Sequence, residues 1–328
     1  MILNKAVFEK AQAEAPITWA KLDSTLRKIA KAFESEPDEN LQAKVDMPLA
    51  EDWAVHTYLA RAASTIAERG KLSTVLNRSN MKPLITDVPF VDSLKHLKEI
   101  ASQRSLELNP QQVYDLVCKG ETTIAIGWPS TGFNVDPDSE DSENELATEL
   151  QVISLPGVTE RFDISSGTWA KRDSNEEFRV DTIGFSGFIA SLTKGTAAEE
   201  SGWEFLTWLS SKQISLLTMP GCKAVGPFRA SHLGDPTIWT GDRISDDIAD
   251  EYSEVIAANH ERTQAMIFPR IPGHQKYLSA LDKAVRDCVS GSMSAEEALE
   301  GAAKEWDAIT DGIGREDQIK NIKMTRAL

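Results

Sequence analysis

Aromatic residues at the ends of secondary-structure elements, beside hydrogen-bond donors, are the groups in this sequence best suited to chemistry, and the chemistry is recognition. Trp53 heads a helical pattern, Trp128 ends a β-branched run, Phe185 lies in the turn Gly184-Phe185-Ser186-Gly187, and Phe228 precedes Arg229 in a Gly-Pro-Phe-Arg turn. A flat ring facing a cleft stacks on the apolar C–H face of a sugar, while donors such as Ser186 and Arg229 address its polar edge. Core packing is the competing reading for any one of these rings, because aromatics dominate cores. Their joint placement at element ends favours a binding site.

Catalytic and metal chemistry fare worse. The Gly184 turn departs from the GxSxG nucleophile elbow, since Phe188 stands where the last glycine is required. His56, His96, His232, His260 and His274 show no HxxxH-type pair, so hydrogen-bonding or surface roles are expected of them. Asp136, Asp138 and Glu140 alternate in the acid-rich stretch 134–149, but Pro137 and the missing loop glycine disagree with a calcium loop. Lys119-Gly-Glu-Thr and Lys194-Gly-Thr lack the GxxxxGK[ST] order of a phosphate cradle. No nucleophile, base and orienting group can be assembled. The expectation is a non-enzyme with no cofactor and no metal.

Composition narrows the class further. A chain of 328 residues accommodates one large domain or two, with a substantial core. Its net charge of −16 argues against sequence-independent nucleic-acid binding, which needs a basic surface to displace counterions. No run approaches the roughly 18 apolar residues of a membrane span. Cys118, Cys222 and Cys288 are far apart and lack CxxC spacing, so buried free thiols are expected. The opening residues MILNKAVFEK show no basic segment followed by an apolar one, so no signal peptide is read there.

Elements that must position the aromatic groups can be read in order. Helical periodicity runs over 3–13, over 19–33 behind the N-cap Thr18, over 53–69, 90–104 and 111–118. Residues 122–129 read as a buried strand delivering Trp128 to its end, and 151–155 as another. A strand broken by glycines covers 182–192, and Thr196-Ala-Ala-Glu199 spells a capping box for a helix to about residue 212. That helix carries Trp203, Phe205, Leu206 and Trp208, a broad apolar stripe that must be covered. A polar helical region spans 235–259, a helix covers 277–289, and a second capping box, Ser294 to Glu297, opens a helix that Gly312 and Gly314 terminate.

Several of these stretches carry a family resemblance. Leu3-Asn-Lys-Ala-Val-Phe8 with Pro16-Ile-Thr-Trp19, Lys119 to Pro129, Gly184 to Lys194, the helix from Ala197 and the turn Gly226 to Leu233 occur in the order found in family 1 extracellular solute-binding proteins, the sugar-type receptors of ABC importers. Arg270-Ile-Pro-Gly-His, Ser294-Ala-Glu-Glu-Ala-Leu and Lys304-Glu-Trp306 continue the match, and Gly314-Arg-Glu-Asp-Gln318 closes it. Leu3 replaces the aromatic residue that the family places before Asn-Lys.

The resemblance implies an α/β fold of periplasmic-binding-protein type II, helix-rich and with an incomplete first lobe. It implies that 1–183 is the main part of the second lobe, 184–237 a remnant of the first lobe after a hinge crossing, and 238–328 the return to the second lobe. It also implies a periplasmic or other extracytoplasmic location, and a first-lobe segment and secretion signal ahead of this stretch. The function implied is capture of a small-molecule solute, a sugar above all, by hinge closure, for delivery to ABC importer membrane subunits. Trp53, Trp128, Gly184, Phe185, Ser186, Phe228 and Arg229 are the expected ligand-binding residues. A partner chain or missing segment is expected to cover Trp203, Phe205 and Trp208. The rival expectation is a lobe-only protein that docks a partner through 184–237.

Overall fold

A three-residue strand sets the frame. The computed structural model describes residues 1–34, 41–66, 75–128, 133, 149–163, 166–173, 177–182, 190–219, 226–241, 244–262 and 264–324. Ile2–Asn4 forms β1, and the chain turns directly into α1 (Lys5–Lys10), whose first turn is capped by the Asn4 side chain accepting from Val7 N at 3.3 Å. The helix expected from residue 3 therefore starts later, because Leu3 is held in a sheet. Thr18 caps α2 (Trp19–Ala32) as its sequence predicts, accepting from Lys21 N at 3.2 Å.

Strand β2 (Val45–Asp46), helices α3 (Ala54–Ile66) and α4 (Val88–Ile100), a 3-10 turn at Gln103–Glu107, α5 (Pro110–Cys118), β3 (Ile124–Ala125) and β4 (Leu150–Val152) follow. The sheet order is β2-β3-β1-β4, with β2 parallel to β3 and β1 antiparallel to both of its neighbours. Successive residues of a strand face opposite ways. Leu3 and its partner Ile124 therefore join Val45 in one core, while Ile2 and its partner Ala125 join Leu150 and Val152 in another. The sheet is a partition between two apolar clusters.

The chain continues through the hairpin β5 (Glu160–Asp163) and β6 (Thr168–Lys171), then β7 (Asp181–Thr182), α6 (Glu199–Leu209), α7 (Lys212–Thr218), α8 (Ala230–Leu233), α9 (Thr237–Thr240) and α10 (Asp246–Glu261). It ends in β8 (Ala265–Met266), α11 (His274–Ser290), α12 (Ala295–Ile313) and α13 (Arg315–Met324). β8 returns to pair in parallel with β7.

The larger core gathers Tyr58, Phe90, Tyr277 and Trp306 from α3, α4, α11 and α12. Full burial of one such ring contributes about 1.5–3 kcal/mol, provided its polar atom is satisfied. Those atoms are: Tyr58 donates to Phe90 O at 3.0 Å and Trp306 Nε1 to Tyr277 O at 2.8 Å. The smaller core gathers Tyr114, Phe133, Trp239 and Tyr252 on the other side of the sheet. Cys118 and Cys288 are buried thiols that form no disulfide among the described residues; Cys222 lies outside them.

The two sequence capping boxes part ways. Around Ser294 both reciprocal bonds form, Glu297 N to Ser294 Oγ at 3.2 Å and Ser294 N to Glu297 Oε2 at 3.0 Å. Thr196 instead accepts from Ala198 N at 3.4 Å, and α6 begins only at Glu199. Helix α6 buries none of its residues, with Trp203, Phe205 and Trp208 each 55% exposed. Gly314 ends α12 at φ +111°, whereas Gly312 lies within the helix. Among the described residues no helix is long and apolar enough to cross a membrane.

Candidate functional site

Helix α3 springs from a tied-down turn. Asp52 has φ +70°, a left-handed conformation that residues with a Cβ seldom adopt. Trp53 N and Ala54 N donate to Ala50 O at 3.0 and 3.2 Å, and Thr57 Oγ1 donates to Pro48 O at 2.7 Å. From α11 the buried Asp282 carboxylate accepts Val55 N at 2.9 Å and Asp52 N at 3.3 Å. Trp53 precedes the first helical turn and His56 stands three residues on, which places both on one side of the helix. Their ring centroids are 6.5 Å apart.

Trp128 arrives from the sheet. Ile126 N donates to Asp46 O at 2.9 Å, carrying the β2–β3 ladder one step past the strand. At Gly127 a Cβ would lie 2.8 Å from the Tyr114 hydroxyl oxygen, so glycine is what lets that hydroxyl reach Trp128 O at 2.7 Å. Tyr252 OH lies 2.7 Å from Tyr114 OH and 3.3 Å from the same carbonyl. Two buried tyrosines thus hold the tryptophan backbone.

The two arrivals meet. The Trp128 ring centroid is 6.3 Å from that of Trp53 and 6.1 Å from that of His56, at interplanar angles of 58° and 84°. All three side chains are half-buried, and the Trp128 Nε1–H is buried with no acceptor among the described residues. Buried indole donors ordinarily find an acceptor, so this one has unspent hydrogen-bonding capacity. Burial pushes the His56 imidazole below its ordinary value, with Asp52 pulling the other way, which favours the neutral ring.

Phe228 and Arg229 form a second group. Phe228 is 58% exposed and packs edge-on against His232 at 4.7 Å, with the Arg229 guanidinium 5.8 Å from the Phe228 ring. Arg229 donates to Ser210 O at the end of α6. A chain of contacts joins this group to the first: Trp239 Nε1 donates to His232 O at 2.8 Å, and Trp239 packs on Tyr252 at 5.3 Å. Gly184, Phe185 and Ser186 lie outside the described residues.

Of the expected residues, then, Trp53 and Trp128 come together and Phe228 pairs with Arg229. His56 joins the first group without having been singled out, although its i+3 spacing from Trp53 is visible in the sequence. Tyr114, Tyr252 and Asp282 enter through tertiary contacts that no local pattern announces. Among the described residues no group of three or more His, Cys, Asp or Glu could hold a metal ion. Two angled indoles, a neutral imidazole and an uncommitted N–H suit a small neutral molecule with apolar faces and hydroxyl edges.

The sequence matches no family model and no curated relative. Solved structures do match in shape. The maltose-bound MalE3 of T. maritima superposes with a TM-score of 0.63 at 18% identity, covering 94% of this chain and 69% of that one. The sugar-binding protein MalE of Xanthomonas citri gives 0.61 at 15% identity over 99% of this chain and 70% of that one. An ABC transporter solute-binding protein of Agrobacterium radiobacter K84 in complex with ribitol gives 0.60 at 17%, covering 94% and 68%. The chain therefore has the helix-rich α/β fold of type II periplasmic binding proteins, and it spans a little over two thirds of the length of these neighbours.

Proposed function

We propose that this chain is a solute-binding component of an ABC importer that captures a neutral sugar or polyol, holding it against Trp53 and Trp128. The observation that carries the reading is the meeting of Trp53, His56 and Trp128 around a buried indole N–H with no acceptor among the described residues. A sugar ring would lay its C–H face on an indole, one of its oxygens would accept from Trp128 Nε1, and the His56 ring would wall the third side. Phe185, Ser186, Gly184, Phe228 and Arg229 would approach from the opposite lobe. Hinge closure, driven by tighter binding to the closed state, would complete the enclosure. No bond is made or broken, so the protein is not an enzyme in this reading. Its partners are the solute and importer membrane subunits, and its place is extracytoplasmic. Of the neighbours named above, MalE3 of T. maritima is maltose-bound, the Agrobacterium radiobacter solute-binding protein is in complex with ribitol and MalE of Xanthomonas citri is a sugar-binding protein, which supports this choice of solute class.

In the same reading, residues 1–183 and 238–328 belong to the second lobe and 184–237 to the first. The exposed Trp203, Phe205 and Trp208 would be covered by a further polypeptide surface of first-lobe type, since a monomer rarely exposes so large an apolar patch. A second reading, docking of a protein partner through that face with no solute involved, rests on the same exposure. Thermal unfolding with a panel of maltose, ribitol and other neutral sugars tests the choice, because a ligand at about 100 times its Kd stabilises the folded state by about 2.7 kcal/mol. A rise in Tm with at least one sugar supports capture. A Tm unmoved by the whole panel sinks it and leaves the docking reading.

A further inference from the structure

The buried face of helix α11 is mainly apolar, with Leu278, Leu281 and Val285 along it. In that row stands Asp282, only 3% exposed. Packing alone would be served better by an apolar residue, because a buried carboxylate is unfavourable unless hydrogen bonds compensate it. Both oxygens are used on one short segment: Oδ1 accepts Val55 N at 2.9 Å and Oδ2 accepts Asp52 N at 3.3 Å. These two amides bracket Trp53. One belongs to the residue at φ +70°, the backbone angle that decides where the next residue points, and the other opens the turn that carries His56.

We propose that Asp282 is a positioning residue for the aromatic group: by holding the backbone of 52–55 it brings Trp53 and His56 onto Trp128. Its consequence for solute binding rests on the function proposed above; its consequence for ring geometry does not. Without the carboxylate, Asp52 relaxes toward the ordinary negative φ, the Trp53 side chain swings away, and the contact at 6.3 Å is lost.

Two indoles this close couple their electronic transitions, so the contact has a signature in far-ultraviolet circular dichroism that needs no ligand. The component of the exciton couplet removed by Trp53→Phe reports the Trp53–Trp128 pair. Asp282→Ala, confirmed as folded by a cooperative melt, is expected to lose that component and, with maltose as the probe, to bind roughly tenfold more weakly. Asp282→Asn keeps one acceptor for Val55 N and is expected to lose only part of it. A folded Asp282→Ala protein with the full couplet overturns the proposal, as does a wild-type spectrum that Trp53→Phe leaves unchanged. If Asp282→Ala does not melt cooperatively, the Asn variant decides: a reduced couplet supports the role and an undiminished one refutes it. Failure of the wild type to bind any sugar would count against the solute reading alone, since the spectra judge the positioning role independently.

Discussion

Trp53, at the mouth of a helix, and Trp128, at the end of a strand, set their rings 6.3 Å apart at 58°. The angle leaves a corner, and His56 fills its third side at 6.1 Å from Trp128. For a solute in that corner, His56→Ala removes the third wall and is expected to weaken sugar binding by about 1 kcal/mol, while His56→Gln retains most of it. Equilibrium titration of both variants checks this; equal losses would contradict it.

Gly127 is the tightest joint behind Trp128. An added methyl would sit 2.8 Å from the Tyr114 hydroxyl and 3.2 Å from Ile2 Cδ1. Gly127→Ala is therefore expected to cost about 1–3 kcal/mol of stability through overpacking and to displace the Trp128 carbonyl from its two tyrosines. Urea unfolding gives the first quantity and near-ultraviolet circular dichroism the second. An unchanged midpoint would mean the tyrosine pair yields freely.

A partly buried relay joins three helices. His96 accepts from Arg61 Nε at 2.8 Å through Nδ1, and its Nε2 lies 2.8 Å from Asp23 Oδ1. Burial, then the Arg61 charge, push the His96 imidazole below its ordinary 6.5, with Asp23 opposing. In the window below 6.5 the unfolded chain thus binds more protons at this site than the folded one, and stability falls as pH falls through that window. His56 and His232 are lowered by burial too and act with the same sign. Urea midpoints measured from about pH 8 down to about pH 5 should decline in the wild type and decline less steeply in His96→Gln. Identical slopes would remove His96 from the account.

Arg262 ties the end of β4 to β7. It reaches Asp181 Oδ1 at 2.7 Å, Asn259 Oδ1 at 2.5 Å and Ser154 Oγ at 2.9 Å. Its guanidinium side chain is 8% exposed and that of Asp181 25%, so solvent screens the pair only in part. Arg262→Ala leaves a mostly buried carboxylate behind and is expected to cost about 1–3 kcal/mol in chemical unfolding. A loss no larger than a surface ion pair gives would place the clamp in solvent.

Much of this is legible in the sequence, and the exceptions have physical causes. Thr18, Ser294 with Glu297, and Gly314 did at their helix ends what their types dictate, because caps are local interactions. Thr196 and Glu199 spell the same box, yet α6 buries none of its residues, and the Thr196 hydroxyl closes a tighter turn with Ala198. Leu3 fits a helical period but is paired on both sides of a strand too short to show alternation. Trp53 and Trp128 stood out by lying at element ends. Asp282 could not, since its bonds to residues 52 and 55 cross most of the chain. His56 follows Trp53 at helical spacing, but what unites the two rings is Trp128, which arrives from the sheet.

The account turns on whether Trp128 touches a solute. Calorimetric titration of the wild type and Trp128→Ala with neutral sugars and polyols, maltose and ribitol first, measures this directly. Saturable binding of at least one of them, weakened more than roughly tenfold by the substitution, is the predicted result. Binding that Trp128→Ala leaves intact, or no binding by the wild type across the panel, would contradict it.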